Sequence, residues 1–369
     1  MSNNPILSII VPAYNAENTL HRCIDSLLDQ NDASIEIIIS NDGSTDKTWD
    51  IVKEYLNKDS RVVGISDTNG GVCKARNRAI KVVTGQWITF VDSDDYVAPG
   101  IFDSIIDVLL ESNPDMLEYQ FSISTSTGNH PVTPNQLPKD SLLGHDWISE
   151  TIVPVALNIN DKKEFFIENY ACNKVYKSDI IRTYDVMFDE TRRKWEDRLF
   201  SLTFLQHATT YYSMSEYGYY YVCGSSQTLS GRYDPDILKI VMDSYHKYRQ
   251  MYGNVYCFDN AYTTNYFCDL LINVAKDQFA FQLAAAALKD MFSIFANDKT
   301  IQMLFSAYSL SDREKLQLRD TVLSKNIDDI YSAFERYASR LKHRNRKKYY
   351  VDRIRYLLSR VKRVLINGK

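Results

Sequence analysis

The chain opens with short apolar runs separated by stretches in which apolar residues recur at helical spacing. Leu7 to Val11 form the first run, broken by Pro12. Between Ala16 and Gln30 the apolar positions Leu20, Cys23, Ile24, Leu27 and Leu28 follow a 3.6-residue period, which predicts an amphipathic helix. Ile35 to Ser40 is a second apolar run, and it enters a loop of turn-favouring residues, Asn41 to Asp46. Thr45 or Asp46 is placed to cap a helix carrying Trp49, Val52 and Leu56. Arg61 to Ser66 gives a third strand. Asn69-Gly70-Gly71 then turns the chain into a helix from Val72 to Thr84, Gly85 ends it, and Trp87 to Val91 is a fourth strand. Strands alternating with helices imply right-handed crossovers and an α/β fold with a mainly parallel sheet. The carboxyl ends of such strands share one edge, where ligands bind. Tyr14, Asn15, Asp42, Asn69 and Asp92 all fall at that edge.

The fourth strand ends in VDSDD, Val91 to Asp95, so Asp92 and Asp94 flank Ser93 as a D-x-D pair. Two carboxylates beside a phosphate site suit a hard divalent cation shared with substrate phosphates. Alone, the motif reads equally as a charged turn closing a strand. Asp42 is an acceptor able to take the N–H of a uracil ring. Gly70 and Gly71 permit close backbone approach, and Arg76 can pair with a carboxylate or phosphate. Taken singly, Asp42 is a turn residue and Arg76 a surface salt bridge. Neither G-x-G-x-x-G nor G-x-x-x-x-G-K-[ST] occurs in this region, which removes the main support for dinucleotide and P-loop readings.

Read together, VPAYNAENTLHRCIDSLLDQ, IIISNDGSTDKTWDIV, TNGGVCKARNRAI and GQWITFVDSDDYV resemble the family-2 glycosyltransferases with the GT-A fold, over residues 6 to 100. Downstream, ACNKVYKSDII, MFDETRRKWEDRLF and YYYVCGSSQTLS are similar to the later part of bacterial capsule and cell-wall polysaccharide transferases. The resemblance implies transfer of a sugar from a nucleotide donor, usually UDP-linked, to an acceptor hydroxyl with inversion. It places Tyr14 and Asp42 around the base and Asn69, Arg76 and Asp92 around the ribose, diphosphate and donor sugar, with Pro12, Asn15, Ser93 and Lys174 as further donor-binding residues. Asp94, with Asp92, matches the Mn2+ or Mg2+ ligand position. Asn173 and Lys174 match a pair near the diphosphate or acceptor. Glu196 and Asp197 match a motif whose aspartate is the usual general base.

The chemistry agrees with this division of labour. Inverting transfer needs a base within roughly 3 Å of the acceptor oxygen, and a cation that stabilises the departing diphosphate. One carboxylate cluster must therefore bind metal while another stays free. Glu196-Asp197 opens a predicted helix with Leu199, Phe200, Leu202, Phe204 and Leu205 on its buried side. A helix N-terminus favours anions, which keeps Asp197 ionised; the plainer alternative is that the pair only caps this helix. The resemblance also leads to a basic residue after Tyr219-Tyr220-Tyr221, but Val222-Cys223-Gly224-Ser225-Ser226 stand there, and Arg232 is the candidate replacement. His207 reads as structural.

Composition extends the picture. The 369 residues suffice for two domains. Six scattered cysteines without C-x-x-C suggest neither a disulfide framework nor a zinc site and fit a reducing cytosol. No signal peptide is read at the N-terminus, and no run reaches the roughly 18 apolar residues of a spanning helix. Residues 123 to 146, with three prolines, read as a surface loop or loose hairpin. Residues 235 to 330 are helical in pattern. The organisation expected is a catalytic domain over 1–232, a helical domain over 233–335 and a basic tail over 336–369.

That tail holds 13 Lys/Arg against one acid, while the rest of the chain holds 30 against 46. Tyr350, Ile354, Leu357, Leu358, Val361, Val364 and Leu365 recur there at helical spacing between basic residues. This predicts an amphipathic helix for an anionic membrane surface and a cytoplasmic protein at the inner face of the plasma membrane. Docking on the acidic body of the chain, or between subunits of a homo-oligomer, is the competing reading; a nucleic-acid partner is not expected. Two other functions stay open: a nucleotidyltransferase, and a transferase fold without turnover that binds polysaccharide or membrane.

Overall fold

The computed structural model describes residues 5–30, 34–132, 136–159, 170–223, 234–281, 283–309 and 312–344. They divide into two compact units. Described residues of 5–156 and 170–223 form the first, and those of 157–159 and 234–344 the second.

The first unit is built on one sheet. Strands β1 (Leu7–Ala13) and β2 (Ile35–Asp42) are buried along their whole length, as continuous apolar runs require when helices cover both faces. Helices α1 (Leu20–Leu28) and α2 (Thr48–Lys58) bury Leu20, Cys23, Ile24 and Leu27, and Thr48, Ile51, Val52 and Tyr55, respectively. Asp46 accepts from the Thr48 amide at 3.0 Å where α2 begins. Strand β3 (Val62–Asp67), helix α3 (Val72–Ile80) and strand β4 (Trp87–Phe90) complete the parallel half, ordered β3-β2-β1-β4. The alternation read from the sequence is present here.

Beyond β4 the sheet becomes mixed. It continues through β9 (Lys174–Lys177), β6 (Met116–Thr125), β10 (Tyr211–Val222) and β5 (Tyr96–Val97). β9 runs antiparallel to both β4 and β6, β10 runs parallel to β6, and β5 antiparallel to β10. β7 (Gly128–Pro131) and β8 (Ser141–Leu143) add short antiparallel edges, so the proline-rich stretch read as a loop or hairpin contains strand pairing. Helix α4 (Ile101–Ser112) follows β5. Two short helices, α5 (His145–Trp147) and α6 (Val153–Leu157), are joined by a π-helical turn at Ile148–Ile152. Helices α7 (Ser178–Tyr184) and α8 (Glu196–Leu205) lie between β9 and β10. His207 stacks on Tyr184 with centroids 3.8 Å apart, in keeping with a structural part.

The second unit contains helices α9 (Ile237–Tyr252), α10 (Ala261–Gln278), α11 (Ala285–Asn297), α12 (Lys299–Ala307), α13 (Arg313–Leu323) and α14 (Ile327–Arg344). Its core is aromatic: Phe292, Phe295, Phe305 and Phe334 are buried in mutual contact. Four starts are capped as the sequence dictates, with the side chains of Asn260, Asp298, Asp312 and Asn326 accepting from amides of the first turn. Helix α14 runs through the expected boundary at 335–336, so the first residues of the basic tail continue this helix. Residues 345–369, with most of the basic stripe, and Arg232 lie outside the described residues. Among the described residues no helix is long and apolar enough to cross a membrane.

Strand β10 is irregular where it passes α4. Its register against β6 shifts on either side of Tyr217, and Gly218 lies between Tyr217 and Tyr219. A Cβ on Gly218 would stand 2.0 Å from Cγ1 of the buried Ile101. Gly218→Ala is therefore an overpacking change and should destabilise the first unit by about 1–3 kcal/mol. Urea unfolding followed by tryptophan fluorescence would register it; an unchanged midpoint would mean that Ile101 moves aside freely.

Candidate active site

Three segments distant in sequence meet at one guanidinium. Gly71, at φ +91°, starts helix α3 in a backbone conformation that favours glycine, and one turn later α3 delivers Arg76. Strand β4 ends just before Asp92. Helix α8 begins at Glu196, after Trp195 at φ +61°, a left-handed conformation uncommon for a bulky residue. Arg76 Nη2 donates to Asp92 Oδ1 at 2.9 Å, Nη1 donates to Asp197 Oδ1 at 2.6 Å, and Glu196 Oε1 lies 3.8 Å from Nη1. The arginine is only 3% exposed and rests over the rings of Phe188 and Phe90 at 5.0 and 5.9 Å. Its Nε is buried without a partner. The second oxygen of Asp197 accepts from the Ala171 amide at 3.3 Å.

The charges here are crowded. Burial opposes the Arg76 charge, but Asp197, Asp92 and Glu196 more than offset it and hold the guanidinium firmly charged. On the acidic side, burial and then Asp197 push Glu196 up to about 7. Asp197 is also raised, by burial, against the opposing pull of Arg76. The helix N-terminus expected to keep Asp197 ionised is thus not the dominant influence; desolvation is. Burial and the neighbouring Asp92 push Asp94 up to about 6.

The D-x-D turn is clamped from below. Asp95 is fully buried and accepts from the Tyr219 hydroxyl at 2.6 Å and the Val222 amide at 2.8 Å. The same hydroxyl accepts from the Asp92 amide at 3.2 Å. From the other side, Arg22 donates to the Asp94 carbonyl at 2.5 Å and lies over Tyr96. Asn77, one residue past Arg76, exchanges hydrogen bonds with the backbone of Phe188 at 2.9 Å in both directions. Sequence reasoning gave Asp95, Tyr219 and Asn77 no part. The third carboxylate of VDSDD and the polar neighbour of Arg76 were the available signals.

The remaining candidates separate. Tyr14 is exposed, and Asn15 ties its loop to the next one by accepting from the Thr45 amide at 2.9 Å. Pro12 is buried in β1, opposite Ser40; Asn69 is exposed and Ser93 half-buried. The Asp42 carboxylate already has three donors: the Gly70 amide at 3.0 Å, the Gly71 amide at 2.7 Å and Arg78. It shapes the glycine loop, an occupation the sequence reading did not foresee. Lys174 is 1% exposed and lies behind the site, donating to the Tyr170 carbonyl at 2.8 Å and Asn173 Oδ1 at 3.0 Å and pairing with Glu118.

Residues 8–182 match the sequence model of the family "Glycosyl transferase family 2". The uncharacterized glycosyltransferase EpsJ of Bacillus subtilis (strain 168) is 30% identical over 284 residues, covering 76% of this chain and 78% of that protein. The poly(ribitol-phosphate) beta-N-acetylglucosaminyltransferase TarS of Staphylococcus aureus (strain MW2) is 29% identical over 217 residues, covering 58% of this chain and 35% of the relative. In three dimensions the chain is similar to S. aureus TarS crystallised with UDP-GlcNAc, with a TM-score of 0.62, 22% identity, and 90% and 91% of the two chains covered. That likeness shows the fold, GT-A.

The raised Glu196 carboxyl has a consequence for stability. Its folded-state pKa exceeds that of the unfolded chain. The native state therefore holds an extra proton between the ordinary carboxyl range and about pH 7, and stability falls as pH rises through that window. Glu196→Gln should raise the melting temperature at pH 8 and change it little near pH 4.5, measured by differential scanning fluorimetry. A mutant that melts lower at pH 8 would show that Arg76 more than compensates the Glu196 charge.

Proposed function

The chain belongs to glycosyl transferase family 2 and is a glycosyltransferase, and from that premise we propose an inverting, metal-dependent reaction. A sugar passes from a UDP-sugar donor to a hydroxyl of a surface-polysaccharide or lipid-linked saccharide acceptor. The observation that carries this reading is the shared guanidinium of Arg76: it brings Asp92 of the D-x-D turn and Asp197 into one site. The names of the S. aureus relative and of its UDP-GlcNAc complex support a nucleotide-sugar donor and a polymer acceptor.

Asp197 is the proposed general base. It takes the proton of the acceptor hydroxyl as that oxygen bonds to the anomeric carbon on the face opposite the diphosphate, whose bond to the sugar breaks. Burial raises its proton affinity and so strengthens it as a proton acceptor, while Arg76 favours its ionised form. Arg76 and the Ala171 amide hold both carboxylate oxygens and so fix its orientation. The glycine loop shaped by Asp42, with Tyr14, Asn15 and Asn69 at the same edge, is assigned to the nucleoside.

Asp92 and Asp94 would hold Mn2+ or Mg2+: burial and then the neighbouring Asp92 charge raise Asp94 to about 6, a penalty that a divalent charge would relieve. Among the described residues no group of three or more His, Cys, Asp or Glu could hold a metal, so diphosphate oxygens would supply other ligands. When bound, the ion supplies Lewis-acid stabilisation of the departing diphosphate. The basic segment 336–369 supports docking on an anionic membrane at its inner face, where lipid-linked acceptors would be reached.

Asp94→Ala should abolish metal-dependent UDP binding in calorimetric titrations with Mn2+; unchanged affinity would remove Asp94 as a ligand. Asp197→Asn should leave UDP binding nearly intact and lower transfer at least ~10²-fold, the low end for losing a general base. The donor for this assay comes from a screen of UDP-glucose, UDP-galactose and their N-acetyl forms for metal-dependent hydrolysis. Near-normal transfer by the mutant would shift the role to Glu196.

A further inference from the structure

Next to the Asp197 carboxylate lies a short segment, Tyr170 to Lys174, tied down by several hydrogen bonds. The Ala171 amide meets Asp197, and Tyr170 immediately precedes it with 38% of its surface exposed. The Tyr170 ring is parallel to that of Tyr221, with centroids 6.4 Å apart and planes 9° from parallel, and meets Phe121 edge-on. Tyr221 sits two residues beyond Tyr219 in β10 and so shares its face, the face that clamps Asp95 and the Asp92 amide. Burial first, then Cys223 and the charges of Asp95, Asp92 and Asp94, raise the Tyr221 hydroxyl pKa, which agrees with a place beside the D-x-D turn. The two rings thus link the metal-motif side of the site to the side of the proposed base.

Buried groups hold this segment. The Lys174 ammonium holds the Tyr170 carbonyl while pairing with Glu118, which in turn accepts from Tyr211 at 2.6 Å. Asn173 donates to the Tyr119 carbonyl at 3.0 Å, and the Tyr119 hydroxyl donates to the Cys172 carbonyl at 3.1 Å. A buried ion pair is weak evidence for stability. Here its geometric result is a fixed carbonyl beneath an exposed aromatic ring.

We propose that Tyr170 and Tyr221 form the platform on which a pyranose ring of the acceptor saccharide packs, and that Lys174 is the positioning residue that holds Tyr170 in place. The proposal rests on the transferase reading above. A pyranose offers a C–H face and a rim of hydroxyls, which match the apolar face and polar tip of tyrosine. The acceptor is favoured over the donor sugar because the same segment contacts Asp197, and the base must lie beside the acceptor oxygen.

The test uses the full-length protein and its Tyr170→Phe, Tyr170→Ala and Lys174→Met variants. The probes are the methyl glycosides of glucose, galactose and N-acetylglucosamine and their β-linked disaccharides, followed by saturation-transfer NMR in the presence of UDP and Mn2+. Tyr170→Phe, which keeps the ring and loses only the hydroxyl, should retain most of the saccharide affinity that Tyr170→Ala loses. Tyr170→Ala should weaken saccharide binding roughly three- to tenfold, the range of an aromatic contact. Its UDP–Mn2+ affinity and slow donor hydrolysis should stay within about twofold, because the D-x-D turn is untouched. Lys174→Met should follow Tyr170→Ala; if it fails to fold, the two Tyr170 variants decide. Saccharide binding that is absent in the parent or unchanged in Tyr170→Ala would overturn the platform, as would a variant that loses UDP-sugar but not UDP affinity. Failure of the parent to bind UDP with Mn2+ is a different result, and it would count against the donor reading instead.

Discussion

The guanidinium of Arg76 is the point on which the first unit depends. It is one buried cation in contact with Asp92, Asp197 and, more distantly, Glu196. Withdrawing such charges from water is expensive, by several kcal/mol per ion before compensation. The arrangement persists because each carboxylate is partly satisfied by the same fork, and because Phe188 and Phe90 lie beneath its plane. One positive charge cannot neutralise three negative ones. Burial, more than the surplus of negative charge, raises the proton affinity of Glu196 and Asp197, so the desolvation that burdens stability also makes the Glu196 carboxyl able to exchange protons near neutral pH.

Around this ion cluster the scaffold works by clamping backbone. Tyr219 and Asp95 fasten the D-x-D turn to β10, and the close approach at Gly218 lets that strand pass α4. Asp42 fastens the Gly70-Gly71 turn from which α3 starts, and Lys174 fastens the segment before β9. Tyr219, Asp95, Asp42 and Lys174 are buried polar groups, each with at least one hydrogen bond to main chain. Such anchors allow loops to carry chemistry while the strands supply the rigidity.

Much of this was legible in the sequence where the signal is local. The apolar runs of β1, β2 and β4 and the helical spacing of Leu20, Cys23, Ile24 and Leu27 set the parallel half without knowledge of any distant partner. The glycine turn, the D-x-D pair and the Glu196-Asp197 start of a helix were likewise readable, because each is a contiguous pattern with a chemical meaning. The mixed half was less so. Strand β6 lies in a region without motif, and its neighbours β9 and β10 come from residues some 50 to 100 positions later. Pairing between such distant segments is decided by which faces can be buried together, and alternation within one strand does not reveal its partner.

What the sequence determined by itself was therefore the inventory: the alternating elements, the carboxylates, one well-placed arginine and a family resemblance over its first hundred residues. Only the tertiary structure decided how these are used. It turned Arg76 into a bridge between Asp92 and Asp197, closed Asp42 onto the glycine loop, buried Lys174 beneath Tyr170, and made desolvation outweigh the helix terminus at Asp197. The reason is physical: helical periodicity and turn chemistry act over a few residues, whereas burial, and the charge interactions it strengthens, exist only once distant segments have excluded water from one another.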